Sequence, residues 1–199
     1  MAAESGVTPG RWIGLGWQIV REDLGNFLLI TLIAAALTMV GSFLVAGPLV
    51  AGMFIAVRRK MLEGQMEIGD LFAGFNLFID SFLIFIVSSI FCLIGLAFCI
   101  FPAFIVAAFY LYSYLYLVDR KQSFWDAMES SRRLAKGHLG GYILFVVLLL
   151  LLNLFGLLLL GVGVLITIPV SVAAVSVAYK ESVGFDFRPV SSHGPVVIK

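Results

Sequence analysis

Three long runs without a charged residue dominate this 199-residue chain: residues 24–57, 81–118 and 139–179. An uncharged apolar segment of about 18 residues or more is typical of a membrane-spanning helix. Apolar residues make up 61% of the chain and charged residues only 13%, too few to cover the surface of a water-soluble domain. The sequence therefore predicts an all-α integral membrane protein.

The length of each run and the position of the positive charges indicate six spans rather than three. A single helix of 34 to 41 residues would reach about 50–60 Å, against a hydrocarbon core of about 30 Å, whereas half of each run fits. With two spans per run, all thirteen Lys and Arg residues lie on one side of the membrane; with one span per run they divide seven and six. The positive-inside rule then predicts six transmembrane helices, arranged as three helical hairpins with both termini in the cytoplasm (N-in/C-in).

Turn-forming residues near the middle of each run predict the tips of the hairpins. These residues are Gly47 and Pro48, Pro102, and Gly161 and Gly163. The three hairpins then cover approximately residues 24–62, 80–118 and 139–180. Only the ten residues Pro48–Val57 separate the first tip from the basic cluster that follows, so a re-entrant half-helix is the alternative to a full span there.

The domain organisation follows from the same pattern. We expect a single transmembrane domain at residues 10–180, a flexible N-terminus at 1–9, and a flexible or extended cytoplasmic tail at 181–199.

Amphipathic segments outside the spans are expected to form helices on the cytoplasmic side. In the first of them, Trp12 and Trp17 lie on the apolar face, and tryptophan favours the boundary between membrane and water. Both residues are therefore candidates for contact with lipid or with a partner. The three segments are residues 11–23, 67–80 and 123–138.

Basic and aromatic residues near the cytoplasmic boundary are further candidates for such contacts. Arg132, Arg133 and Lys136 end the third amphipathic segment and could bind anionic lipid headgroups, although the positive-inside rule alone would also place them there. Tyr110 and Tyr114 share a helix face and could line a pocket for a lipid or a pigment. The alternative for these tyrosines is an interfacial aromatic belt.

Residues that could carry catalysis are scarce. The polar residue near the middle of the third run is Asn153, which suits a hydrogen bond between helices or, alternatively, contact with a ligand. The predicted spans contain no ionisable residue far from their ends, and no H-E-x-x-H, C-x-x-C, P-loop or G-x-G-x-x-G pattern occurs. We therefore predict a protein without enzymatic activity, with no catalytic residue, cofactor, metal or nucleic-acid partner.

Three stretches of the chain resemble a known group of proteins: "GPLVAGM" (47–53), "GDLFAGF" (69–75) and "DAMESSRRLAKGHLGGYILF" (126–145). Their order and spacing resemble uncharacterised bacterial integral membrane proteins of the DUF975/YciC-like group. That group is related to the membrane domain found beside some glycerophosphodiester phosphodiesterases. The resemblance implies a helical-hairpin protein of the bacterial inner membrane and transfers no catalytic residue.

Taken together, these features favour a non-catalytic membrane protein. The expected role is an accessory or structural subunit of a membrane complex, or a homo-oligomer, whose partners are membrane lipids and other membrane subunits or further copies of itself. A lipid-handling protein or a small-solute permease is the alternative. A continuous polar cavity inside the bundle would favour transport, whereas a packed core would favour a subunit.

Overall fold

The computed structural model describes residues 7–98, 100–158 and 163–186. Helices account for most of these residues, which confirms the prediction of an all-α fold. The helices are α1 (Pro9–Glu22), α2 (Leu24–Glu63), α3 (Ile68–Ala73), α4 (Phe78–Phe98), α5 (Ile100–Tyr110), α6 (Ser113–Arg120), α7 (Phe124–Gly137), α8 (Leu139–Leu158) and α9 (Val164–Ser182), with a 3₁₀ turn, Gly74–Leu77, between α3 and α4.

Several of these helices are long and apolar enough to cross a membrane. Within the described ranges a fifth span is available only if α1 and the first part of α2, which meet at an angle of 98°, act as one bent span. The returning part of α2 is not counted, and its apolar stretch ends at Arg58. The four segments that qualify by themselves are Ile68–Phe98, Pro102–Arg120, Leu139–Leu158 and Val164–Ser182.

The 40 residues of α2 form two arms that fold back on each other. A straight helix of this length would separate its ends by about 60 Å. Instead, Lys60 Nζ lies 3.2 Å from the Asp23 carboxylate, and Ala34 belongs to the same core cluster as Leu49. The chain therefore reverses between Met39, which lies in the first arm, and Gly47, which already packs against α4.

The prediction that Gly47 and Pro48 form the tip of the first hairpin is wrong, because both residues lie within the returning arm of α2. A Cβ at Gly47 would lie 2.5 Å from the carbonyl oxygen of Ser81 on α4, so this glycine lets the two helices approach closely. Pro48 is fully buried inside this helix, and its carbonyl oxygen packs against Gly74. The Gly-Pro pair serves helix packing rather than the turn.

The chain also reverses between α4 and α5 and between α8 and α9. In the first pair, Gly95 packs closely against the start of α5, where Pro102 occupies the first turn. In the second pair, Gly163 precedes α9 and packs against the backbone of Gly156. Gly161, which was predicted for the same tip, lies outside the described residues.

An aromatic cluster lies where α1, the start of α8 and the end of α9 meet the junction of α5 and α6. The Tyr112 ring lies 5.6 Å from that of Tyr142 and 5.9 Å from that of Tyr179, and Trp12 packs edge-on against Phe145 at 5.0 Å between ring centres. All five side chains are buried. Each such ring pair contributes about 0.5–1.5 kcal/mol beyond the burial of its area, so the cluster fixes these helices relative to one another.

Residues 111–112 interrupt the helix between α5 and α6, and α7 satisfies backbone groups freed by the interruption. Ser131 Oγ accepts a hydrogen bond from the Tyr112 N–H (3.0 Å) and donates one to the carbonyl oxygen of Phe109 (2.6 Å). Ser131 is itself fully buried. Because a buried N–H without a partner costs about 1–3 kcal/mol, this serine holds α7 firmly against the interruption.

Candidate functional site

Buried charges mark the place where the C-terminal ends of α2, α6 and α9 meet. We name this cluster the Asp119 junction; it consists of Arg58, Asp119, Tyr179 and Asp186. Arg58 Nε donates a hydrogen bond to Asp119 Oδ1 at 2.8 Å, and the two residues are only 3% and 6% exposed. Removing one partner of a buried ion pair costs about 3–5 kcal/mol, because the remaining charge loses its main counter-charge. Arg120 Nε also lies 3.4 Å from Asp119 Oδ2. The ion pair of Arg58 and Asp119 therefore ties α2 to α6.

Further hydrogen bonds to the Asp119 carboxylate come from α9 and the segment after it. Tyr179 Oη donates to Asp119 Oδ2 (3.3 Å), and the Asp186 N–H donates to Asp119 Oδ1 (3.1 Å). The Asp186 carbonyl accepts from Arg58 Nη2 (2.6 Å), and the Arg58 guanidinium lies 5.8 Å from the centre of the Phe185 ring. One carboxylate thus connects the C-terminal ends of α2, α6 and α9 to the segment after α9.

The beginning of the tail is more ordered than the sequence predicts. Helix α9 continues to Ser182, past the predicted boundary at residue 181. Gly184 has a φ of 80° and donates its N–H to the Lys180 carbonyl, the left-handed geometry that commonly ends a helix. The Gly184 carbonyl then accepts from Arg120 Nη2 at 3.4 Å. Residues 187–199 lie outside the described residues.

A second charged cluster fixes α3 to the end of α2. Arg59 forms ion pairs with three carboxylates, those of Glu63, Glu67 and Asp70, each at 3.0 Å. Asp70 also accepts a hydrogen bond from the Glu67 N–H at 2.8 Å, which completes the capping box of α3. These charges therefore explain how a helix of only six residues is held in place.

Two of the stretches that carry the family resemblance pack directly against each other. A Cβ on Gly52 would collide with the carbonyl oxygen of Leu71, and a Cβ on Gly74 would collide with that of Pro48. Small residues allow helix backbones to approach in this way. The motifs "GPLVAGM" and "GDLFAGF" are thus explained by close packing of α2 against α3 and the following 3₁₀ turn.

A pocket of about 280 Å³ lies between α4, α5 and α7. In this pocket, Arg132 Nη2 lies 2.7 Å from Glu129 Oε2, and Arg133 Nε lies 3.1 Å from Glu129 Oε1. The hydrogen bonds from Arg133 and Arg132 lower the pKa of the Glu129 carboxyl, so this group is ionised at neutral pH. We name it the α7 pocket; its lining residues are Phe91, Tyr110, Trp125, Met128, Glu129 and Arg132.

The two tryptophans predicted for the membrane boundary have different environments. Trp12 is 2% exposed, and its Nε1 donates a hydrogen bond to Glu181 Oε2 at 2.7 Å, so the expectation that it contacts lipid or a partner is wrong. Trp17 is 41% exposed. The buried face of α1 instead runs through Trp12, Gly16 and Val20, because Gly16 packs against the backbone of α9.

The two tyrosines predicted to line one pocket also lie in different environments. Tyr110 lines the α7 pocket and stacks on Phe91 with 5.9 Å between ring centres. Tyr114 packs inside the protein instead: its ring stacks on that of Phe54 at 6.1 Å, and its hydroxyl donates to the Ser81 carbonyl at 3.4 Å. Only Tyr110 therefore lies where a bound molecule could reach it.

Asn153 forms hydrogen bonds within the helix pair α8 and α9. Its Nδ2 donates to Ser171 Oγ (2.7 Å) and to the Leu149 carbonyl (2.8 Å). Its Oδ1 is buried and has no hydrogen-bond partner among the described residues. The contact to Ser171 is the interhelical bond that the sequence suggested.

The predicted basic residues all lie on α7, but they differ in their contacts. Arg132 and Arg133 share the Glu129 carboxylate at the rim of the α7 pocket, whereas Lys136 is exposed one turn further along the helix. The structure thus brings Tyr110, Arg132 and Arg133 to one place and leaves the other predicted contact residues elsewhere.

Sequence reasoning missed the Asp119 junction, since it treated charges at helix ends as ordinary boundary residues. The available signal was positional: Arg58 and Asp119 each directly follow an uncharged run, and Tyr179 is the last residue of the third run. All three residues thus lie at the C-terminal ends of the uncharged runs, and such ends are expected to come together when the helices of these runs pack against one another.

Comparison with known proteins gives no relative. No family model matches the chain, no curated protein matches it, and no solved structure resembles it. Within residues 7–98, 100–158 and 163–186 there is also no group of three or more His, Cys, Asp or Glu side chains placed to hold a metal ion.

Proposed function

We propose that this protein is a non-catalytic, multi-pass membrane protein that acts as an accessory or structural subunit, within a membrane complex or as a homo-oligomer. The observation that carries the proposal is the use made of its buried charges. Among the described residues the buried charged side chains are Arg58, Asp70 and Asp119, and each forms an ion pair that joins two helices. The buried charges of this protein therefore hold its helices together.

The packing of the aromatic cluster supports a subunit rather than a permease. Where a solute path would need polar, water-accessible walls, the structure places the buried rings of Trp12, Tyr112, Tyr142, Phe145 and Tyr179 in mutual contact. Packed aromatic side chains contribute stability and rigidity, and the α7 pocket lies to one side of them, between α4, α5 and α7.

The outward surfaces of α4 and α8 offer the contact area that a membrane subunit needs. Both carry large apolar side chains that no other part of the described structure covers, and such a surface is buried by lipid or by another membrane protein. The large apolar side chains exposed on these two helices are Phe78, Ile79, Ile90, Phe91, Leu93, Ile94, Leu96 and Phe98 on α4 and Leu144, Leu150, Leu151, Leu154, Phe155, Leu157 and Leu158 on α8.

The proposal includes a topology and a location. We place six spans, as three hairpins, in the bacterial inner membrane with both termini in the cytoplasm. This arrangement is supported by the one-sided distribution of Lys and Arg and by the contact between Arg58 and Asp119, which brings the ends of two returning arms together. Membership of the DUF975/YciC-like group, which the three sequence stretches suggest, is part of the same proposal.

Extraction in native lipid nanodiscs followed by mass spectrometry tests the proposal. We expect a stoichiometric protein partner or a discrete number of copies of this chain. Leu154→Trp on α8 and Leu93→Trp on α4 add the same bulk at exposed apolar positions, so loss of the partner in only one variant identifies the interface. A monomer without any protein partner would contradict the subunit role.

The alternative role as a lipid-handling protein has one observation in its favour, the α7 pocket. Its walls combine apolar rings with an ion pair, a composition that suits an amphiphilic molecule. If the nanodisc experiment yields a monomer with one retained lipid species, lipid handling becomes the better interpretation.

A further inference from the structure

We propose that the α7 pocket binds one phospholipid with an anionic headgroup, its acyl chain against Phe91 and Trp125 and its headgroup at Arg132. This inference concerns a ligand and does not depend on the protein being a subunit. It rests on the apolar wall of the pocket, on the charges at its rim and on its place beside a membrane-facing helix.

The apolar wall is preformed. Phe91 and Tyr110 stack at 5.9 Å between ring centres and join α4 to α5 on one side of the pocket. Trp125 and Met128 of α7 form the other side. Trp125 is 59% exposed although it is a large aromatic residue, so it offers an uncovered ring at the entrance. A hydrocarbon chain entering here would be in contact with aromatic rings on both sides.

The helix at the rim of the pocket has an excess of positive charge. Arg132 lines the pocket, and Arg133 shares with it the single carboxylate of Glu129. Lys136 is exposed one turn along α7 and Asp126 lies in its first turn, so the helix carries three cations against two carboxylates, a net charge of +1. A cation near an anionic membrane surface contributes about 1 kcal/mol to attraction, and a guanidinium can bind a phosphate through two parallel hydrogen bonds. The rim therefore favours an anionic headgroup over a zwitterionic one.

The size and position of the pocket favour a lipid over a soluble anion. Its volume, about 280 Å³, is just below the range of small-molecule sites (about 300–1,000 Å³), which is room for part of one chain rather than for a whole lipid. Phe91 lies between the exposed residues Ile90 and Leu93 on α4, a helix long and apolar enough to cross a membrane. A soluble phosphate would use the arginines but would leave the aromatic wall uncovered.

Quenching of Trp125 fluorescence by brominated lipids tests this site. The protein would carry Trp17→Phe, which leaves Trp125 and the buried Trp12, and would be reconstituted with brominated phosphatidylglycerol or brominated phosphatidylcholine. We expect phosphatidylglycerol to quench at a several-fold lower mole fraction. Arg132→Gln should abolish this preference, whereas Arg21→Gln, an exposed arginine on α1, should leave it unchanged.

A second variant separates lipid binding from a structural role of the ion pair. Glu129→Gln removes the carboxylate that both arginines share, so it should increase the preference for phosphatidylglycerol, whereas simple disruption of α7 would decrease it. Equal quenching by the two lipids would overturn the proposal. So would a loss of preference in Arg21→Gln as large as that in Arg132→Gln, because attraction would then belong to the whole surface.

Discussion

Removal of the Asp119 carboxylate provides the sharpest test of how the helices are held together. In Asp119→Leu, the buried Arg58 guanidinium loses the Asp119 carboxylate but keeps its hydrogen bond to the Asp186 carbonyl, and the donors Tyr179 Oη and the Asp186 N–H lose the Asp119 oxygens. Breaking a buried ion pair costs about 3–5 kcal/mol. For a chain of this size each kcal/mol corresponds to about 2–4 °C in Tm, so the expected decrease is about 6–20 °C.

A double-mutant cycle with Arg58→Met isolates the ion pair from the other contacts. Each single variant should be destabilised by about 3–5 kcal/mol, but the double variant should be far less destabilised than their sum, because no unpaired charge remains. Recovery will be incomplete, since the Asp186 N–H still lacks its acceptor. The measurement is thermal unfolding in detergent, followed by tryptophan fluorescence.

The control is the exposed pair on α7. Arg133 pairs with Glu129 at 3.1 Å but is largely exposed, so Arg133→Met should change stability by less than about 1 kcal/mol. Strict additivity of the two changes in the Asp119 cycle, within about 0.5 kcal/mol, would refute the reasoning, because it would mean that the pair contributes no coupling.

Two further substitutions test the helix contacts. Gly52→Ala should destabilise the protein by about 1–3 kcal/mol, because its new methyl group collides with the Leu71 carbonyl. The control is Gly140→Ala, where nothing lies within 4 Å; it should be neutral or stabilising by up to about 1 kcal/mol. Equal effects of the two substitutions in unfolding measurements would argue against close packing of α2 on α3. Ser131→Ala should cost about 1–3 kcal/mol and expose the Tyr112 amide to hydrogen exchange; unchanged protection of that amide would show that the serine does not close the helix interruption.

The candidate lipid site was only partly visible in the sequence. Tyr110, Arg132 and Arg133 were chosen as boundary residues, and the structure places all three at the α7 pocket. The sequence did not indicate that Phe91 and Trp125 also line this pocket. The two residues lie on different helices, and their proximity depends on how α7 packs against α4. Trp12 was assigned to the membrane boundary, yet Gly16 allows α1 to approach α9 so closely that the ring becomes buried.

The sequence by itself determined the helical, membrane-type character of this protein. Uncharged runs of 34 to 41 residues leave few alternatives, since backbone polar groups in a bilayer must be satisfied within helices. The residue types alone do not show whether a given glycine forms a turn or a helix contact, or which partner a given charge has. Gly47 and Pro48 carry the signature of a turn, but in the structure Gly47 packs against α4 and the Pro48 carbonyl packs against Gly74.

Only the tertiary structure decided which charges meet. Arg58 and Asp119 are 61 residues apart, and either could have remained in water at a helix end. Packing of α2 against α6 and α9 buries both residues, and a buried charge without a partner is too costly to persist. Pairing therefore became obligatory through burial, and burial is a property of the assembled bundle rather than of any segment of its sequence.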